Sequence, residues 1–245
     1  MNLESMNKNN PPQIFIHYTH DIFTYEIPIP FTKLPNKLIR NFTMCGRFEN
    51  KPSVQSLVVE LKKHKVDLQI DPSLTKENND AKAENIAPTN KIFSVKYNDK
   101  DYFLTRTNWG IKFSADSPLI FNSRIETIKE KKFWMSLFTK NISLVPMTAF
   151  YEWKKEGTKK IPYRIFLPDE KIFFVPALNF MDKDKKIFTS LITTTPNDFM
   201  QPIHHRMPVI LKIKDGINFL TNDPDTNLSQ CIPYAGKMDL EPASI

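Results

Sequence analysis

Six short runs rich in β-branched and aromatic residues dominate the middle of the chain: IFSVKY (92–97), YFLTRTNWG (102–110), SLVPMTAFYEW (143–153), YRIFL (163–167), FFVPAL (173–178) and IFTSLITT (187–194). Segments of Lys, Asp, Gly and Pro separate them, so each run reads as a strand bounded by turns. Helical spacing is scarcer. Val54, Leu57, Val58 and Leu61 fall at i, i+3, i+4 and i+7 behind Ser53, a residue type that caps helices. KFWMSLF (132–138) and the stretch from Lys214 to Leu220 are further helix candidates, whereas residues 65–84 are polar and read as loop. Many short strands with few helices imply an α+β fold on a curved or barrel-like, mainly antiparallel sheet with a few flanking helices.

A chain of 245 residues that is 40% hydrophobic can bury one substantial core. Residues 1–43 are rich in Asn and Pro, and their apolar residues keep no sustained period, so they read as a poorly structured extension to a domain over 44–245. The net charge of +7 lies almost entirely in that domain and suits an anionic partner such as nucleic acid. Two cysteines, Cys45 and Cys231, make neither a disulfide framework nor a zinc spacing, and His17 with His20 lacks a third ligand. The expectation is a reduced intracellular monomer, in the bacterial cytoplasm or a eukaryotic nucleus, with no metal, no cofactor and no membrane partner.

Cys45 poses the chemical question. As an interior residue it offers a thiol, and free cysteine is most often buried and inert. Were Met44 a start or a cleavage point, Cys45 would carry a free α-amine beside its thiol, a 1,2-aminothiol able to trap an aldehyde in a five-membered ring. Polar residues also stand where a core pattern would exclude them in NIAPTN (85–90), FNSRIET (121–127), FYEWKKEG (150–157) and IHHRMPVIL (203–211). In FYEW, alternation places Glu152 on the face of Phe150 and opposite Tyr151 and Trp153.

MCGRF at 44–48 and these four stretches, in this order, resemble the SOS-response-associated peptidase (SRAP) family, which shields abasic sites in single-stranded DNA by covalent crosslinking. The resemblance implies that Cys45 is the nucleophile, that Asn122 orients the reacting groups, and that Glu152 and His204 move protons. His205 competes with His204, which aligns with the family's histidine two residues before Arg. The resemblance further implies that Arg47, Arg124 and Arg206 hold DNA phosphates, that Trp109 stacks on a base or wedges between bases, against the commoner reading of a strand tryptophan as core, and that Asn85 supports the active-site loop. Self-directed peptidase chemistry, with Cys45 attacking the Met44 carbonyl, would expose the amine. Two features depart from the family pattern: 44 residues precede Cys45, and MDLEPASI (238–245) resembles the start of the family's closing strand and then stops, as if truncated. Two rival readings remain open at this level, a thiol peptidase acting on other proteins through Cys45 and His204, and a non-covalent single-stranded DNA-binding module.

Overall fold

Strand-forming residues pair within two separate units of the chain, 1–43 and 44–245. The computed structural model describes residues 13–20, 23–30, 46–75, 83–98, 100–114 and 116–245. In the first unit, β1 (Gln13–His20) and β2 (Phe23–Pro30) pair antiparallel from Gln13↔Pro30 to His20↔Phe23. The stretch expected to hold little structure thus carries a hairpin, a pairing between two eight-residue runs too short for a sustained period to announce. An isolated two-stranded hairpin is marginal in water.

The second unit begins with β3 (Arg47–Asn50), α1 (Val54–Lys63), β4 (Leu68–Ile70), β5 (Ala83–Ile86), β6 (Lys91–Asn98) and β7 (Asp101–Trp109). It continues through β8 (Asn122–Arg124), α2 (Ile125–Glu130), α3 (Lys132–Lys140), β9 (Ile142–Met147), β10 (Ala149–Glu156), β11 (Lys159–Phe166), β12 (Phe173–Met181) and β13 (Ile187–Thr194). Last come β14 (Met207–Pro208), α4 (Ile213–Phe219), α5 (Pro224–Gln230) and β15 (Asp239–Pro242). The expected strands and helices form. Ser53 caps α1 by accepting from the Ser56 amide at 3.2 Å, and Val54, Leu57 and Leu61 are buried. The expected loop at 65–84 is partly ordered: β4 adds in parallel to β7, because Leu68 finds a buried seat that its polar neighbours hide from a sequence pattern.

Two sheets build the domain. One has the order β15-β11-β10-β3-β5; the other runs β14-β13-β12-β9-β6-β7-β4. A parallel contact of β13 with β7, at Phe188↔Asn108 and Thr189↔Trp109, joins the second sheet back on itself through β12, β9 and β6. The sheet is therefore a curled, mixed but mainly antiparallel one, closed by a two-residue pairing. Strand β12 shows how it packs, since Phe173, Val175 and Ala177 enter one hydrophobic cluster and Phe174 and Leu178 another. The first cluster takes in Phe48, Phe150 and Ile165 from the five-stranded sheet, and the second takes in buried residues of α1 to α4. Among the described residues no helix is long and apolar enough to cross a membrane.

On the opposite face of the five-stranded sheet, Glu49 is 1% exposed, yet its carboxylate is fully engaged. Arg164 donates to it from Nε at 3.1 Å and Nη2 at 2.8 Å, Thr148 Oγ1 at 2.6 Å and Tyr151 Oη at 3.2 Å, with Lys51 Nζ at 3.2 Å. Burial alone would push this carboxyl up, but the hydrogen bonds from Arg164, Thr148 and Lys51 outweigh it and hold the pKa down at about 2. Burial and the Glu49 charge push the Tyr151 phenol up to about 12.

Candidate active site

Strand β10 carries Phe150 into the core, and two residues later the same face presents Glu152, a carboxylate only 2% exposed. Its neighbour comes from the connection between β13 and β14. That connection is a built turn: Asn197 Nδ2 donates to the Tyr234 carbonyl at 2.7 Å, the Met200 amide donates to Asn197 Oδ1 at 2.9 Å, and the His204 amide donates to the Met200 carbonyl at 2.8 Å. Met200 and Ile203 are buried beneath it. His204 Nδ1 lies 3.8 Å from Glu152 Oε1, outside hydrogen-bond reach but close enough for strong attraction once the ring is charged.

The Arg206 backbone offers His204 Nδ1 both a donor and an acceptor, its amide at 3.1 Å and its carbonyl at 3.2 Å, and so serves either tautomer of the neutral ring. Burial lowers the His204 pKa below the ordinary imidazole value, and His205, Lys160 and Arg206 push it the same way. These effects outweigh the raising contribution of the Arg206 backbone. The His205 ring lies against His204 with centroids 4.3 Å apart, but His205 is exposed where His204 is not. A buried carboxylate beside a neutral imidazole is a pair suited to passing protons.

Arg206 is not where a phosphate contact would be. It is 6% exposed, its Nη1 and Nη2 grip both oxygens of Glu126 at 2.8 and 2.9 Å, and Nη2 also donates to the Thr193 carbonyl at 2.9 Å. The two Nη groups are taken up by a fork-to-fork pair that ties the His204 turn to α2. Burial would raise the Glu126 carboxyl, but the Arg206 hydrogen bonds win and hold it below its usual range.

Trp109 is likewise corrected. With no exposed surface it cannot stack on a base; it packs edge-on against Phe48 at 5.1 Å and Phe121 at 6.0 Å. Its Nε1 donates to the Phe121 carbonyl at 2.8 Å, so it sets the residue immediately before Asn122. Asn122 opens β8, which lies parallel to β13 with Asn122 opposite Leu191. The side of a small pocket that Asn122 forms is shared with Arg47, Trp109 and Phe150. Arg124 is exposed at the start of α2. Arg47 donates from Nη1 to Asn85 Oδ1 at 2.8 Å, and Asn85 itself holds the left-handed backbone at φ +60°. Cys45 lies outside the described residues; Gly46, which follows it directly in sequence, leads into β3. The structure thus brings Asn122 and Arg47 together in one pocket beside Phe150, and Glu152 and His204 together as a second pair two residues further along β10, while Trp109 supports the first group and Arg206 the second.

Glu126 and Glu49 escaped the sequence reading. A signal for Glu126 existed: an arginine inside the apolar run IHHRMPVIL requires a carboxylate if it is buried, and FNSRIET supplies one.

Residues 44–244 match the family described as SOS response associated peptidase (SRAP). The abasic site processing protein YoqW of Bacillus subtilis (strain 168) is 31% identical over 204 residues, covering 78% of this chain and 88% of its own. YMR114C of Saccharomyces cerevisiae, also named an abasic site processing protein, is 31% identical over 136 residues, 52% of this chain and 36% of its own. A solved structure from Bacteroides thetaiotaomicron overlays with a TM-score of 0.63 at 24% identity, covering 82% of this chain and 92% of that one, and so shares the fold.

Proposed function

Because the chain belongs to the SOS response associated peptidase (SRAP) family, we propose that it acts on abasic sites in single-stranded DNA and captures their open-chain aldehyde on Cys45. The relatives named as abasic site processing proteins support the substrate. The observation that carries the chemistry is the buried Glu152 with His204 Nδ1 3.8 Å away, held next to the strand that Cys45 leads into.

Removal of residues 1–44 frees the Cys45 α-amine, whose ordinary pKa near 7.7 to 8.0 leaves much of it neutral at cellular pH. The amine nitrogen adds to the aldehyde carbon, and the carbinolamine loses water to give an imine. The thiolate then adds to the imine carbon while the nitrogen takes up a proton, closing a thiazolidine. Aldehyde and aminothiol become ring and water, with no oxidant required. His204, when protonated, donates a proton to the sugar-ring oxygen as the ring opens, and Glu152 stabilises that imidazolium and relays protons through dehydration. The same carboxylate assists self-cleavage ahead of Cys45. Arg124 lies on the path of the DNA and takes a phosphate.

The test is a time course on an oligonucleotide with one abasic site, resolved on a denaturing gel beside an undamaged control. Wild type is expected to form a heat-stable adduct with the abasic strand alone. Cys45→Ser in a processed chain should give an imine that survives only after borohydride reduction, and Glu152→Gln should slow adduct formation about 10²-fold. Equal adducts with undamaged DNA, or stable unreduced adducts from Cys45→Ser, would sink the reading.

A further inference from the structure

The buried carboxylate of Glu49 takes no part in the proposed chemistry, yet it lies four residues along the chain from Cys45. Phe48 and Phe150 point into the core from opposite positions on β3 and β10, so Glu49 and Tyr151 point away from it and Glu152 points back. On the outward face, charges alternate across the sheet. Lys51 Nζ lies 3.6 Å from Glu84 of β5 and 3.2 Å from Glu49, and Arg164 of β11 reaches Glu49 at 2.8 Å and Glu241 of β15 at 3.0 Å. Tyr151 brings in β10 by donating to Glu49 at 3.2 Å. Glu84 and Glu241 stand in water, where an ion pair contributes little; of the three acids in the row only Glu49 is buried.

Burying a carboxylate against a guanidinium is a poor route to stability, since two apolar side chains of like volume do as well or better. What such a cluster supplies instead is a fixed register, and β3 needs one. It meets β10 over three residue pairs, from Ala149↔Glu49 to Tyr151↔Arg47, and its pairing with β5 breaks register between Phe48 and Asn50, at Glu49 itself. Backbone bonds alone hold so short a strand weakly. A slip of one residue would turn its side chains to the wrong face and carry its leading end about 3.3 Å along. Cys45 leads into that end, while β10 carries Glu152. We infer that Glu49 is a positioning residue for the proposed reaction: bonded at once to Tyr151 and Arg164, it fixes β3 against β10 and β11, and so sets the start of β3 relative to Glu152. This rests on the proposed capture of the aldehyde and adds to it the group that holds the two reacting strands in register.

The test compares two variants of the full chain. Glu49→Gln keeps the shape and removes the charge, and Arg164→Lys keeps the charge and removes the fork, so either carries the test if the other does not fold. Phe219→Leu, in α4 and the core cluster on the helix side, is the control that loses stability elsewhere. Crosslinking is timed at saturating abasic DNA, at a temperature where every chain is folded, and counted per chain cleaved before Cys45 by intact mass. Affinity is read separately, by fluorescence anisotropy on an oligonucleotide with a tetrahydrofuran abasic analogue, which has no aldehyde. Glu49→Gln and Arg164→Lys should slow crosslinking about 10- to 100-fold with affinity unchanged, and amide exchange over residues 47–50 should accelerate. The slowing by Glu49→Gln should be the same across the neutral range of pH, since Glu49 is ionised throughout it. Phe219→Leu should crosslink at the wild-type rate. A wild-type rate in the first two variants, a slowing that Phe219→Leu shares, or a loss confined to affinity would overturn the positioning role while the proposed reaction stands. If wild type itself forms no adduct, both fall.

Discussion

Replacing Glu49 by Gln removes one charge from a cluster in which Arg164, Lys51, Thr148 and Tyr151 all converge on it. The loss leaves Arg164, 19% exposed, with Glu241 as its one remaining carboxylate among the described residues, and should cost about 3 kcal/mol, or roughly 6–12 °C in the melting temperature read by calorimetry. Because the folded pKa of Glu49 is depressed from 4.5 to about 2, the unfolded chain binds more protons between those values. Its stabilisation is present above pH 4.5 and disappears as pH falls through about 2, so Glu49→Gln should flatten the acid limb of the stability curve. His204 follows the same sign for a base: its lowered pKa favours the neutral ring, and its contribution is present above the ordinary imidazole value and lost as pH falls through the lowered one. An NMR titration of the His204 ring protons should give a midpoint below 6.5. A midpoint above that would mean that the Glu152 charge, 3.8 Å away, outweighs burial.

At the scale of elements, the pair Arg206–Glu126 fastens the turn that carries His204 to the helix α2 that follows Asn122. Glu126→Gln should therefore slow crosslinking about 10- to 100-fold by letting His204 drift, with amide exchange accelerated over residues 203–207. DNA affinity and its salt dependence should hardly move. A loss confined to affinity, with a shallower salt slope, would return Arg206 to the phosphate role expected from its motif. The β7–β8 connection depends in the same way on Gly110, which sits at φ +116° with Leu119 Cδ1 only 2.7 Å from where a Cβ would be. Gly110→Ala should cost about 1–3 kcal/mol in chemical denaturation, because both the backbone and the Leu119 contact oppose it.

For the molecule as a whole, the family match begins at residue 44, the second unit begins at Met44, and the proposed chemistry needs a free amine on Cys45. A chain started at Met44 should lose that methionine and crosslink abasic DNA without delay, whereas a full-length chain should react only after cleavage before Cys45, as intact mass would record. Equal rates from a chain that retains Met1 would overturn the free-amine mechanism. Much of this architecture was legible beforehand. Alternation and turn residues announced the strands between 92 and 194, the i, i+3, i+4, i+7 spacing announced α1, and five ordered motifs pointed to Asn122, Glu152 and His204, because such signals are written in neighbouring residues. What stayed hidden depends on partners far along the chain: Arg206 meets Glu126 80 residues away, Glu49 meets Arg164 115 residues away, and the sheet closes through two residue pairs of β13 and β7. An arginine reads alike in sequence whether it grips a phosphate or a carboxylate, and a tryptophan reads alike whether it stacks on a base or on Phe48. Only the fold decides, since it sets which groups lose their water and which opposite charge stands within reach when they do.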